Sequence, residues 1–246
     1  MGDFYSTVFQ ADNCLIIVSG STPPPPAPMP GSLRFFDVSA SLSTAGSSDW
    51  AVGTGDFTVE WYQYQTAITS SGGGNPYQRV FTVNVYPTAS LAASIENGRL
   101  YAWIANGSTS NVQITLSNFL NQWVHFAFVR QSGTVNVYQN GTSISTFTNT
   151  TNVTDSTANL YVGAEPTDWP NTIFQGFITD LHFVKGQSLY TGPFTPPTGS
   201  IQPTSNTKLL LNVMSESEML ADSSGLNKTV TNGGAVTWNP GSPYHA

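Results

Sequence analysis

"WVHFAFVRQSGTVNVYQNGTSISTF", residues 123 to 147, holds the reading on which the fold turns. "VNVYQ" and "TSIST" alternate apolar and polar residues on either side of Asn140-Gly141. Two residues that tolerate a positive φ build a type I′ turn, whose twist matches that of paired strands, so a tight hairpin is expected. Asn140-Gly141-Thr142 is also an N-glycosylation triplet, as are those at Asn106, Asn149, Asn152 and Asn227. Such triplets arise readily in a chain rich in Asn, Ser and Thr, and the hairpin accounts for the pair without a glycan. Just upstream, "WVHFAFVR" is apolar at both alternate sets of positions, the pattern of an interior strand covered on each side of its sheet.

Working outward, the same short strands recur. "FTVEWYQYQ" (57–65) and "RVFTVNVY" (79–86) alternate, and "SLAASIE", "RLYAWIA", "NVQITL", "NLYVGA", "FQGFITDLHFVK" and "KLLLNV" extend the series. Gly, Asn, Ser and Pro clusters such as "SSGGGNP" and "ENG" separate them, which is turn chemistry. No stretch of ten residues carries a 3.6-residue period; "SESEML" (215–220) has room for one helical turn. Strands at this spacing predict an all-β, antiparallel two-sheet β-sandwich or jelly roll.

Composition narrows the function. Charged residues make up 9 % of the chain, against roughly 25 % in an average globular protein. The net charge of -7 comes from 14 acidic and 7 basic residues with no runs. A nucleic-acid backbone is neutralised by clustered Lys and Arg, so this chain is not expected to bind one. Cys14 stands alone, so the core rather than an intrachain disulfide must hold the fold. "CLIIV" (14–18) is too short to span a bilayer and no Lys or Arg precedes it, so neither membrane insertion nor a signal peptide is expected. Without secretory entry, the glycosylation machinery does not meet the five triplets.

The organisation reads as three parts: an extended N-terminal arm (1–20), a proline-rich linker (21–31) and a sandwich domain (32–246). "STPPPPAPMPG" (21–31) holds six prolines, and consecutive prolines favour a stiff polyproline II spacer. The arm is either a disordered tail or an anchor whose "VFQADNCLIIV" adds a strand or plug to a partner; an unpaired "CLIIV" would be an aggregation hazard.

The order of these pieces resembles the laminin G-like, concanavalin A-like lectin/glucanase superfamily. "SLRFFDVSASLSTAGSSDWAVGTGDFTVEWYQYQ" looks like its opening, "NQWVHFAFVRQSGTVNVYQNGTSI" like its middle, and "LYVGAEP" with "FQGFITDLHFVKGQSLYTGPFTPPT" like its closing strands, covering about residues 31 to 214. With "VKGQSLYTGPFTPPT" followed by "SNTKLLLNV" and "ADSSGLNKTVTNGGAV", the version it looks most like occurs in virion proteins of tailed phages and large aquatic viruses. That resemblance implies a concanavalin A-like jelly roll on a virion, made in a host cytoplasm, held to other virion proteins through residues 1–30 and present as a homo-oligomer or in many copies. It also implies a structural Ca²⁺ where an early loop meets the last long strand, at Asp37 and Asp180; Asp180 can equally anchor a neighbouring loop. Asp155, Glu165 and Asp168 flank "NLYVG" and are either a rim Ca²⁺ site or solvated loop acids.

Glycanases of this fold carry Glu-x-Asp-x-x-Glu on one strand; no such spacing exists here, and the chain is not expected to be an enzyme. His125, inside "WVHFAF", reads as satisfied in or beside the core rather than catalytic. Sugar recognition uses an aromatic face with polar groups beside it. Trp169, between two strands and flanked by Asp168 and Asn171, is the first candidate and Trp50 the second, with ordinary packing the alternative for each. Trp61 and Trp123 read as core, and Trp103 can face either way. The expected function is non-enzymatic binding of a cell-surface glycan by a virion adhesion protein. The alternative is a structural capsid or tail component that binds no sugar.

Overall fold

A computed structural model describes residues 6–11, 14–19, 30–37, 40–68, 77–85, 87–105, 111–166 and 172–244. The strands run β1 (Ser6–Ala11), β2 (Cys14–Ser19), β3 (Ser32–Phe35), β4 (Ser41–Thr44), β5 (Phe57–Gln65), β6 (Gln78–Val83), β7 (Leu91–Glu96), β8 (Arg99–Ile104), β9 (Asn111–Thr115), β10 (Trp123–Gln131), β11 (Thr134–Gln139), β12 (Thr142–Thr148), β13 (Leu160–Val162), β14 (Gly176–Lys185), β15 (Thr207–Leu211), β16 (Val230–Gly234) and β17 (Thr237–Asn239). One sheet is ordered β12-β11-β10-β5-β14-β3-β17, with β15 also paired to β14; the other is β16-β4-β13-β6-β7-β8-β9. Every pairing within them is antiparallel. The all-β two-sheet sandwich is as the sequence predicts. No helix among the described residues is long and apolar enough to cross a membrane.

The 140–141 turn is as expected, with φ of 48° at Asn140 and 76° at Gly141. Asn140 also accepts the His125 backbone N–H through its side chain at 2.9 Å, tying the turn to the start of β10. Gly141 is required twice over: a Cβ there would overlap the Phe194 carbonyl, and its φ is left-handed. β1 and β2 pair with each other as a separate two-stranded sheet. "SESEML" supplies a single 3-10 turn at Glu216–Glu218.

The interior between the sheets is aromatic. Trp61 stacks on Phe126 at 5.5 Å and meets Phe81 edge-on at 5.7 Å, and Phe57 meets Phe128 edge-on at 5.4 Å. Each ring buried this way stabilises the fold by roughly 2–3 kcal/mol. Farther along β5 the inward positions are glutamines: Trp61 Nε1 donates to Gln63 (2.8 Å), Gln63 to Gln65 (3.0 Å) and Gln65 to Gln78 (3.2 Å). A buried amide is tolerated only when paired, and this relay pairs them in series.

The last long strand is bent at Asp180, where two residues of β14 oppose one of β5 and φ is 52°. Before the bulge β14 pairs with β3, and after it with β15. On the outer face of the larger sheet, residues 186–201 lie as a strap. Leu189 N–H donates to Thr58 Oγ1 (2.9 Å), Phe194 N–H to the Gly141 carbonyl (3.0 Å) and the Tyr62 hydroxyl to the Pro197 carbonyl.

Candidate functional site

Among the described residues, concavities lie at each end of β13 on the smaller sheet. The larger, about 420 Å³, is lined among the described residues by polar side chains, including Asn84, Thr88, Ser90 and Asp155. The smaller, about 230 Å³, joins an aromatic wall, Tyr161, to Ser41, Ser43, Glu165 and Pro166. Tyr161 is half-buried and its hydroxyl accepts from Asn159 at 3.2 Å.

A clamp sets the smaller concavity. Arg79, on β6, donates to Glu165 at 2.6 Å and to Ser94 at 2.5 Å, all three groups being buried. Its backbone N–H reaches the Thr172 carbonyl at 2.8 Å, and Thr172 Oγ1 accepts the Glu165 N–H at 3.1 Å. Residues 165 and 172 are therefore both fixed to one strand residue. A buried ion pair with a partner removed leaves an uncompensated charge, so the clamp stands or falls as a unit.

Asp168, Trp169 and Asn171, the first sugar-binding candidates, lie outside the described residues; Pro166, on the cleft wall, is two residues before Asp168 in the sequence. Trp50 corrects the expectation for it. It sits in a 3-10 turn (Ser48–Trp50), is fully buried, meets Phe183 edge-on at 5.2 Å and carries Lys228 over its ring at 5.0 Å. It has no face left for a pyranose. Asp155 and Glu165 do not converge: Asp155 accepts from Asn84 at 2.9 Å in the larger cleft, and Glu165 belongs to Arg79 in the smaller. Sequence reasoning missed Tyr161 and Arg79, whose signal was only the alternation that puts them on the outer face.

The calcium expectation meets a geometry that does not fit a cation. Asp37 is exposed. Asp180 is buried, and its two oxygens accept from the Ile201 N–H (3.1 Å) and the Tyr244 hydroxyl (2.5 Å), so an ion there would displace both. Burial pushes the Asp180 carboxyl up to about 7, with the nearby Glu60 charge adding to it, against the two hydrogen bonds. Among the described residues, no three His, Cys, Asp or Glu side chains gather as a metal-binding group.

Beside Asp180, under the strap, Glu60 accepts from His125 Nε2 (3.0 Å), His182 Nδ1 (2.8 Å) and the Tyr190 hydroxyl (2.6 Å). Burial works to raise its pKa, but the hydrogen bonds and charges of the two histidines outweigh that and hold it down at about 2. The other ring nitrogen of His182, Nε2, is hydrogen-bonded to the Thr207 hydroxyl at 2.7 Å. His125, expected to be satisfied in or beside the core, is fully buried on the outer face of the larger sheet beneath the strap, with Nε2 paired to Glu60.

Two antiparallel sheets packed face to face around one aromatic core, with clefts on the outside of one sheet, define a lectin-like jelly roll. Residues 37–187 match the laminin G-type model of the concanavalin A-like lectin/glucanases superfamily, and the chain belongs to that superfamily. No curated protein matches it in sequence. Among solved structures it is similar to a Bacteroides ovatus protein to which carbohydrate binding has been ascribed (TM-score 0.57, 12 % identity). That match covers 92 % of this chain and 66 % of the other, so the chain spans just under two thirds of its relative's length. It is also similar to a native heptameric SAP-like pentraxin from Limulus polyphemus (TM-score 0.53, 14 % identity, 92 % of this chain and 94 % of that one). At these identities the likeness is one of fold.

Proposed function

We infer that this chain is a non-catalytic glycan-binding module, displayed on a virion through residues 1–30, with its sugar site at the smaller cleft. The observation that carries the reading is the cleft itself. A half-exposed tyrosine ring stands opposite serine hydroxyls at the clamped base of the loop that carries Asp168, Trp169 and Asn171. Stacking on a ring face and hydrogen bonds to hydroxyls are what sugar recognition requires. The non-catalytic part is supported by Glu60 and Asp180, neighbouring acids on one sheet face, which lie under the strap rather than in a cleft. Virion display is supported by the loop layout "VKGQSLYTGPFTPPT" and by the proline spacer. Single sugar contacts are weak, and many copies on one particle would supply avidity.

The test is a multivalent glycan array with the full chain and the variants Tyr161→Ala and Trp169→Ala. Binding to a defined glycan class that drops at least about tenfold in both variants is expected, since each removes a stacking face. Binding that survives both would place the site elsewhere. No binding to any glycan would favour a purely structural role in packing against virion neighbours.

A further inference from the structure

The strap covers only part of the outer face of the larger sheet. Beyond it, Trp123, Tyr64, Phe177 and Arg34 stand in one row across four strands, β10, β5, β14 and β3. Residues directly opposite on neighbouring strands share a face. Successive rings meet at 5.8 Å (Trp123–Tyr64), 5.9 Å (Tyr64–Phe177) and 5.3 Å (Phe177–Phe36), and the Arg34 guanidinium lies over Phe36 at 4.6 Å. All four rings are half-buried and Arg34 is exposed. The result is a solvent-facing aromatic ladder with a cation at one end.

Ring orientation says what the ladder suits. Consecutive planes are inclined by 69°, 72° and 65°, so no two neighbouring rings lie in one plane. A pyranose stacks on a flat face, and this herringbone offers no continuous one. Ridges and slots between aromatic rings are instead what proline-rich polyproline II segments dock into. Such a segment makes no internal hydrogen bonds and leaves its carbonyls free. The ladder supplies donors for them: the Trp123 indole N–H and the Tyr64 hydroxyl have no recorded partner among the described residues, and Arg34 forms no ion pair among them. Aromatic residues and Arg are also the side chains that dominate protein interfaces.

A matching ligand is written in the chain. "STPPPPAPMPG" (21–31) is uncharged, so docking it strands no charge, and at roughly 3.1 Å per residue its proline run is long enough to cross three ring spacings. Its own domain is an awkward host. The segment joins at Gly31, whose N–H is fixed to the Val213 carbonyl at 2.8 Å, at the opposite end of β3 from Phe36. A stiff spacer does not double back along the strand it feeds. We propose that the ladder formed by Phe36, Phe177, Tyr64 and Trp123 is the docking groove for the proline-rich segment 21–31 of a second copy of this chain. The contact is head-to-tail, joining two different patches, so it propagates into a ring or a filament rather than stopping at a two-fold dimer.

Sedimentation of the full chain over a range of concentrations tests this, with two variants and one competitor. Trp123→Ala removes a ladder ring. Replacing Pro23, Pro24, Pro25 and Pro26 together by Ser removes the ligand while leaving every described residue of the sandwich in place, so it stays informative even where Trp123→Ala unfolds. The expected result is concentration-dependent association, weakened about tenfold or more by either change. Excess synthetic peptide of residues 21–31 should dissociate it. A chain that stays monomeric overturns the proposal, whether Trp123 fluorescence ignores the proline replacement or responds to it; a response would assign the groove to the chain's own segment. Association that Trp123→Ala abolishes but the proline replacement leaves intact also overturns it, since ladder would then meet ladder.

Discussion

Asp180 shows how a single residue turns burial into a pH dependence. Below about pH 4 its carboxyl is protonated in both the folded and the unfolded chain and costs nothing. From there to about 7 the unfolded chain releases the proton while the folded one keeps it, so stability falls as pH rises, by on the order of 4 kcal/mol. Glu60 acts in the opposite sense. Its pKa is held at about 2, so its contribution is complete above its ordinary value and is lost as pH falls toward 2. Asp180→Asn keeps an acceptor for the Ile201 N–H and a group to meet the Tyr244 hydroxyl, but has no proton to lose. In thermal melts the variant should match the parent near pH 4 and exceed it at pH 8. A variant that melts below the parent at pH 8 would show that the carboxylate is tolerated there.

At the scale of elements, the strap and β5 are instructive in different ways. Tyr190 fixes the strap to Glu60 through one bond to a charged acceptor, a contact worth about 1.5–3 kcal/mol. In Tyr190→Phe the Leu189 and Phe194 amides, which anchor the strap to Thr58 and Gly141, should exchange hydrogen markedly faster, while amides of β5 and β10 keep their protection. Unchanged exchange in the strap would mean that its backbone contacts suffice. β5 shows where sequence patterning misleads. In "FTVEWYQYQ" the apolar residues occupy positions 57, 59 and 61 and then shift phase to 62 and 64. A strand cannot change phase without a bulge, so strict alternation keeps 63 and 65 inward as glutamines and turns Tyr62 and Tyr64 outward. Trp123, which from its place in a strand reads as core, faces outward for the same reason, because it pairs with Tyr64. Hairpins with their own turn chemistry, such as the one at Asn140-Gly141, are legible because the information is local. The ladder and the Arg79 clamp are not, since each is made by strands distant in sequence.

At the scale of the whole molecule, closure depends on segments with little signal of their own. β16 ("VTNGG") and β17 ("TWN") carry no strand pattern, and they form only because β4 and β3 offer them open edges. They lie beyond the superfamily match at 37–187, as does β15. Ending the chain after Thr229 bares an edge of each sheet and removes the buried side chains of Val230 and Val236 and the partly buried Trp238. The loss is roughly 5 kcal/mol of apolar burial. That truncation should lower the melting temperature by ten degrees or so and promote aggregation; melting at the full chain's temperature would show that the two strands are ornamental. The pairing of β17 with β3 has one more consequence. Ser32 Oγ donates to the Gly241 carbonyl at 2.6 Å, so the polypeptide enters and leaves the sandwich side by side. Such a body is suited to insertion within a loop of a host protein, and to circular permutation, because joining its ends needs only a short bridge and a new opening in a surface turn.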